Sequence, residues 1–438
     1  MSPAFQMALA LGSVSVLLGL MAMVRHLAGM WSLRAELQRK LVHIGTGLYA
    51  LVLPWIFPDR WPVYVLVGVT MAVMLVLRLP GSRLGGTLHG VERKSYGDLL
   101  LAASVGLCLF LAGDQLFLYV LPIAVLTLAD AAAALAGSTY GRRFFAVEDG
   151  QKSIEGSAVF FTVTLLVAMV CLMLMTPLAP PNILVLSLLV AAFGTLVEAA
   201  SWRGFDNLFL PLGLLIFLSV HAQDPLPELL TFAAFFAFCN LAVRYVTPRI
   251  GLTNHAARVY VTAVFLLLAM TEMQNALFPI LTLAAHAWCR NVAPCTARHP
   301  DLDIVAGVAL VSFGWLTLGT ASGWNAVSFF GLTTMGMMVS LCAVALTPQK
   351  PALRYSVMAA LLAATLATRT VVIGLNPAEA NWSGAMWPIT VACLALSLVP
   401  MAWPRSFTTL RVTKLTLLAL PIPLGVYLYA IAIKGLYP

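Results

Sequence analysis

The sequence predicts an all-α, polytopic integral membrane protein with about 14 to 16 transmembrane helices and its N-terminus outside. Three observations carry that prediction. Of the 438 residues, 61% are hydrophobic and only 10% are charged, and the mean hydropathy is +0.94. That is more apolar residue than a soluble core can hold. The apolar residues are gathered in segments of about the length needed to cross the hydrocarbon layer, separated by short polar loops. Of the 25 Lys and Arg residues, all but Arg60, Arg369 and Lys434 fall in alternate loops, which an outside N-terminus places inside.

Taken in order, the first apolar segment, 5–24, has no basic region before it and no cleavage site after it, so it reads as a retained span. Segments 41–58, 61–79, 98–113, 115–136, 157–178, 182–199, 206–223 and 227–243 follow. A second series runs through 259–272, 275–289, 303–320, 325–346, 354–373, 384–402 and 415–433, its first two members being short for full spans. The character of the loops changes near residue 240, which divides the chain into 1–238 and 239–438. The formal charge of +8 is the inside excess of Lys and Arg and has no long basic run, so no nucleic-acid partner is implied. Seven scattered cysteines give no disulfide framework.

Four polar knots interrupt the first half, all on the inner side by the charge rule. The longest lies between Ala129 and Phe161. It opens with Asp130 in apolar sequence and breaks into a loop with Gly137, Tyr140, Gly141, Arg142 and Arg143. It continues through Gly150-Gln151-Lys152-Ser153-Ile154-Glu155-Gly156-Ser157. Charges of both signs at a membrane face are costly and functional by default. Arginines and a lysine suit phosphate, glycines let backbone amides come close, and acids suit the magnesium that accompanies nucleotide phosphates. The alternative is a loop whose charges only set topology.

The other three knots add to the same face. In Glu36 to Gly47, Arg39 and His43 share a helical face beside Lys40, with Gly45 and Gly47 giving room. His43 is either a packing residue or a proton carrier near phosphate. In Gly90 to Asp98, Arg93 and Lys94 act as an inside anchor, which leaves Glu92, Ser95, Tyr96 and Asp98 unexplained. In Leu196 to Pro211, Glu198 closes one span and Asp206 with Asn207 opens the next. Glu198 and Asp206 are candidate metal ligands with Asp130, although Asp206 equally suits a helix cap.

These pieces together resemble the polyprenol kinase family, which includes phytol and dolichol kinases and is distantly similar to CDP-diacylglycerol synthases. The resemblance rests on RKLVH at Arg39 to His43, ERKSYGD at Glu92 to Asp98, and Ala129-Asp130 through Tyr140-Gly141-Arg142-Arg143. GQKSIEGS at Gly150 to Ser157 and LVEA through DNLFLP at Leu196 to Pro211 complete it. Ala129 stands where many relatives have glycine. The resemblance covers about half the chain and implies transfer of the γ-phosphoryl group of a nucleotide, usually CTP, to a long-chain isoprenoid alcohol at the cytosolic membrane face. Within these motifs Arg39, Lys40, Arg93, Lys94, Gly141, Arg142, Arg143, Lys152, Ser153 and Gly156 are, by residue type, the expected phosphate-binding residues. By their chemistry, Asp130 with Glu155, Glu198 or Asp206 is expected to hold Mg2+ (or Mn2+), and His43 or Asp130 to serve as base with Lys152 at the transferred group, roles exchangeable among these residues. The expected setting is a bacterial cytoplasmic membrane.

A cytidylyltransferase making a CDP-lipid shares nucleotide, metal and location; a lipid transporter or flippase would carry its polar groups at mid-bilayer rather than at one face. The second half resembles no family by its motifs. His286, Cys289, Cys295 and His299 have a spacing compatible with zinc, or with packing at a helix end.

Overall fold

A computed structural model describes residues 1–33, 35–77, 96–148, 150–378 and 381–436. Glu92, Arg93, Lys94 and Ser95 lie outside the described residues. The chain is an all-α, polytopic membrane protein. Among the described residues, eight helices are long and apolar enough to cross a membrane, and six shorter apolar helices accompany them. The chain divides into two compact units, Met1–Phe238 and Cys239–Pro438.

The first unit begins with α1 (Pro3–Trp31), α2 (Ala35–Ile56), α3 (Trp61–Leu77) and α4 (Gly97–Leu111). It continues with α5 (Leu116–Tyr140), α6 (Ile154–Met175), α7 (Pro180–Ala200) and α8 (Asp206–His221). α9 (Leu226–Ile250) carries the chain across the unit boundary. The ends follow local chemistry. Ser2 caps α1 by accepting from the Phe5 amide (3.3 Å), and Ser153 caps α6 by accepting from the Gly156 amide (3.0 Å).

α5 and α8 form the inside of this unit. In α5, 78% of the most apolar stretch is buried, against 17% in α1, whose apolar surface is left for lipid. α8 packs against α4, α5 and α7, with Leu210, Leu212, Leu214 and Phe217 fully buried. Lipid offers no hydrophobic drive between helices, so close fit must hold them. α5 and α6 cross at Gly137 and Gly156: a Cβ on Gly156 would lie 3.0 Å from the Ala133 carbonyl and 3.4 Å from Gly137 Cα.

Two departures from regular helix surround the polar knots. α5 contains a π-helical turn, Val125–Ala129, immediately before Asp130. Between α5 and α6 the chain forms an antiparallel hairpin, β1 (Phe144–Val147) and β2 (Gly150–Ser153), pairing Phe145 with Lys152. The sequence reading has only a polar loop there.

The second unit comprises α10 (Asn254–Met270), α11 (Met273–Val292), α12 (Pro300–Ser322) and α13 (Val327–Leu346). α14 (Pro351–Leu375), α15 (Met386–Ala402) and α16 (Arg411–Lys434) complete it. α13 is its axis, with 94% of its apolar stretch buried and with α11, α12, α14, α15 and α16 around it.

Candidate active site

The site is assembled from the ends of α2, α5, α6, α7 and α8 that carry the polar knots. Asp130 follows the π-turn and is buried. Its Oδ2 accepts from Lys40 Nζ at 2.6 Å and lies 3.5 Å from His43 Nε2. His43 Nε2 also lies 3.3 Å from the Leu126 carbonyl, inside the π-turn. A π-turn tips backbone carbonyls away from their usual donors, and such turns are common at functional sites. Gly47, one turn beyond His43, lets α2 close onto this turn, because a Cβ there would run into the Thr127 side chain, 2.6 Å from Cγ2. Tyr119 donates to the Ala50 carbonyl (2.6 Å), a second tie between the same helices. Gly45 does the corresponding job against Leu20 of α1.

The hairpin delivers the second half of the site. Lys152 shares its face with Phe145 and turns inward, where Nζ donates to Glu198 Oε1 (2.7 Å), to Ser201 Oγ (3.0 Å) and to the Glu198 carbonyl. Ser201 Oγ in turn donates to the Glu198 carbonyl at 2.9 Å. Lys152 is within electrostatic reach of Asp130, and Asp206 of His43. The result is an alternating chain of charge, Lys40, Asp130, Lys152 and Glu198.

A curated relative shows which family the chain belongs to. The chain is 34% identical over 211 residues to the phytol kinase of Synechocystis sp., covering 47% of this chain and 88% of the relative. The chain belongs to the polyprenol kinase family. It is a lipid kinase. No family model matches it, and no solved structure does.

In this kinase, the expected residues fall into three groups. Lys40, His43, Asp130, Lys152 and Glu198 are brought together, with Asp206 close by. Asp206 forms no side-chain cap; Phe205 is the N-cap, and Asp206 sits in the first turn of α8, where its charge suits the helix dipole. Glu155, Arg142 and Arg143 form a second group. Glu155 accepts from the Arg142 amide (3.1 Å) and the Arg143 amide (3.3 Å), so it holds the turn that presents the two exposed arginines. Ser153, Gly141 and Gly156 shape the fold beneath them. Ser153 caps α6, while Gly141 closes α5 with its amide on the Gly137 carbonyl (3.2 Å).

The two basic neighbours on α2 part company. Arg39 is exposed, and Lys40 is turned inward to Asp130. The second and fourth knots are joined directly: Asn207 Nδ2 donates to the Gly97 carbonyl (2.7 Å), and the Tyr96 amide donates to the Arg203 carbonyl (3.0 Å). Ser201 is the site residue that motif reading missed. Its signal was faint, a serine three residues after Glu198.

Among the described residues no three His, Cys, Asp or Glu side chains are grouped as a metal set. Magnesium bound with a nucleotide needs only one or two carboxylates, the rest being phosphate oxygens and water. Asp130 and Glu198 fit that demand, each held by a lysine that can exchange its partner. The zinc spacing in the second unit is not assembled: His286 lies 3.3 Å from Asp301 Oδ1, and Cys289 Sγ accepts from Arg411 (3.5 Å).

Proposed function

We propose that the chain phosphorylates a membrane-dissolved isoprenoid alcohol, such as phytol, geranylgeraniol, farnesol or dolichol, with CTP as donor. The reaction takes place at the cytosolic face of a bacterial cytoplasmic membrane. The observation that carries this reading is Asp130 held between Lys40 and His43 beside the Lys152–Glu198 pair, in a member of a lipid-kinase family. Phosphoryl transfer asks for positioning and charge neutralisation rather than covalent chemistry, and this site is made of both.

Lys40 and Lys152 turn from their carboxylates to nucleotide phosphates, as ammonium groups on flexible stems can. Arg142 and Arg143 reach the same phosphates from the turn that Glu155 holds. Asp130 and Glu198 would hold the metal through carboxylate oxygens no longer paired with the lysines. Magnesium (or manganese) would supply neutralisation of the developing phosphate charge. A proton on His43 Nε2, held by the Leu126 carbonyl and Asp130, leaves Nδ1 as the basic nitrogen for the alcohol's proton. The alcohol's tail remains in the bilayer while its hydroxyl meets His43 at the inner ends of the helices.

The deciding experiment supplies membranes with CTP labelled at either the α or the γ phosphate and with a panel of prenols. Label from the γ position in lipid is expected. Label from the α position would make the chain a CDP-lipid cytidylyltransferase, and no lipid label with any donor would remove the enzymatic reading.

A further inference from the structure

α2 carries a proline in its last turn, and α5 supplies what that proline takes away. Pro54 has no N–H, so the carbonyl four residues earlier, that of Ala50, loses its helical donor. In lipid no water replaces such a donor, and a neighbouring helix has to. Tyr119 of α5 does so: it is fully buried, and its hydroxyl donates to the Ala50 carbonyl at 2.6 Å. Of the carbonyls along α2, Tyr119 takes the one that Pro54 leaves open.

This bond ends a continuous seam that begins in the candidate active site. Lys40, His43, Gly47, Ala50 and Pro54 recur every three or four residues and so share one face of α2. That face meets α5 in reverse order. Lys40 and His43 lie at Asp130, His43 also at the Leu126 carbonyl, Gly47 at Thr127 and Ala50 at Tyr119. Gly47 permits the approach but makes no directional contact, whereas a hydrogen bond from a buried hydroxyl selects one acceptor and one angle. The Lys40–Asp130 pair cannot hold the seam through turnover, because in the proposed reaction Lys40 leaves Asp130 for phosphate. The Tyr119 bond takes no part in nucleotide binding. It lies seven residues beyond His43, about 10 Å along the helix axis.

We propose that Tyr119 is a positioning residue for phosphoryl transfer. By filling the acceptor that Pro54 leaves open, it fixes how α2 is turned and how far it stands from α5, and so sets His43 and Lys40 against Asp130. A helix is stiff over two turns, so a slide or rotation released at Ala50 reaches His43 undiminished. The positioning role rests on the reaction proposed above; the lock between Pro54, Ala50 and Tyr119 rests on geometry alone.

The test is a double-variant cycle in the full chain: wild type, Tyr119→Phe, Pro54→Ala and the two together. Transfer is assayed in lipid–detergent micelles with CTP and phytol, and the thermal midpoint is read without substrates. Tyr119→Phe keeps the ring and removes only the donor. It is expected to lower kcat roughly tenfold or more, with KM for CTP and for phytol within about threefold of wild type. Pro54→Ala returns an N–H to the Ala50 carbonyl, so adding Tyr119→Phe to it should lower kcat by less than about threefold. The midpoint should follow the same pattern, falling with Tyr119→Phe alone and scarcely when Pro54→Ala is also present. Wild-type kcat in Tyr119→Phe, or a change confined to KM, would overturn the positioning role. An equal loss with and without Pro54→Ala would overturn the link to the open acceptor. If Tyr119→Phe alone fails to fold, the double variant should still fold and turn over like Pro54→Ala, and its failure would overturn the lock. No transfer by the wild type would remove the reaction and the positioning role with it, while coupled midpoints would still show the lock, so the two failures are separate results.

Discussion

Lys152 illustrates how one side chain serves two states. In the free chain it neutralises Glu198 and is fixed by Ser201; in the proposed reaction its charge passes to nucleotide phosphate. Lys152→Ala is therefore expected to abolish transfer and also to lower stability, because removing one partner of a largely buried pair strands the other, at up to about 3 kcal/mol. The double change Lys152→Ala with Glu198→Gln separates the two effects: stability should return and transfer should not. Turnover near wild type in Lys152→Ala would contradict the assignment. Ser201→Ala should act more mildly, since it only positions Lys152. A rise in KM for nucleotide with most of kcat kept is the expected result in initial-rate assays.

At the scale of elements, the functional device is the close approach of α2 to the π-turn of α5. Gly47 permits it, and Lys40 and His43 depend on it to meet Asp130. Gly47→Ala must push α2 away from Thr127, and a displacement of about 1 Å at reacting groups costs on the order of a hundredfold in rate. The variant should remain monodisperse with kcat reduced by roughly that factor; wild-type kcat would show that the contact is not needed. The order of the knots and the positions of the helices were legible in the sequence, because apolar length and polar loops encode them directly. The rotation of α2 was not: Arg39 and Lys40 are adjacent, and only tertiary packing decides which faces Asp130. The hairpin was legible only as a polar loop. Four-residue strands without alternation hid the rest. The π-turn has no sequence signature, since it is a register slip within an apolar helix.

At the scale of the molecule, the knots of the first unit share one membrane face only if the charge rule sets the orientation. Single cysteines in 137–156 and 200–206, on a background lacking the seven native ones, should react with impermeant thiol reagents only after permeabilisation. Labelling in intact cells would place the site outside. The same partition of charge bears on the division of labour. The inner acids Asp130, Glu155, Glu198 and Asp206 lie in Met1–Phe238, while the inner loops of the second unit carry only Asp301 and Asp303. Asp301 is committed to Arg290 and His286. A metal-dependent phosphoryl transfer needs carboxylates, so the first unit is equipped for it and the second is not. A chain ending at Ile250 keeps α9 whole and should retain prenol kinase activity within about tenfold of the full chain, about 1.4 kcal/mol in barrier. Small-residue or polar helix surfaces suit lipid poorly as a neighbour. Activity must therefore be read beside folding, as a single symmetric species on size exclusion in detergent. A well-folded truncation without transfer would mean that the second unit completes the active site.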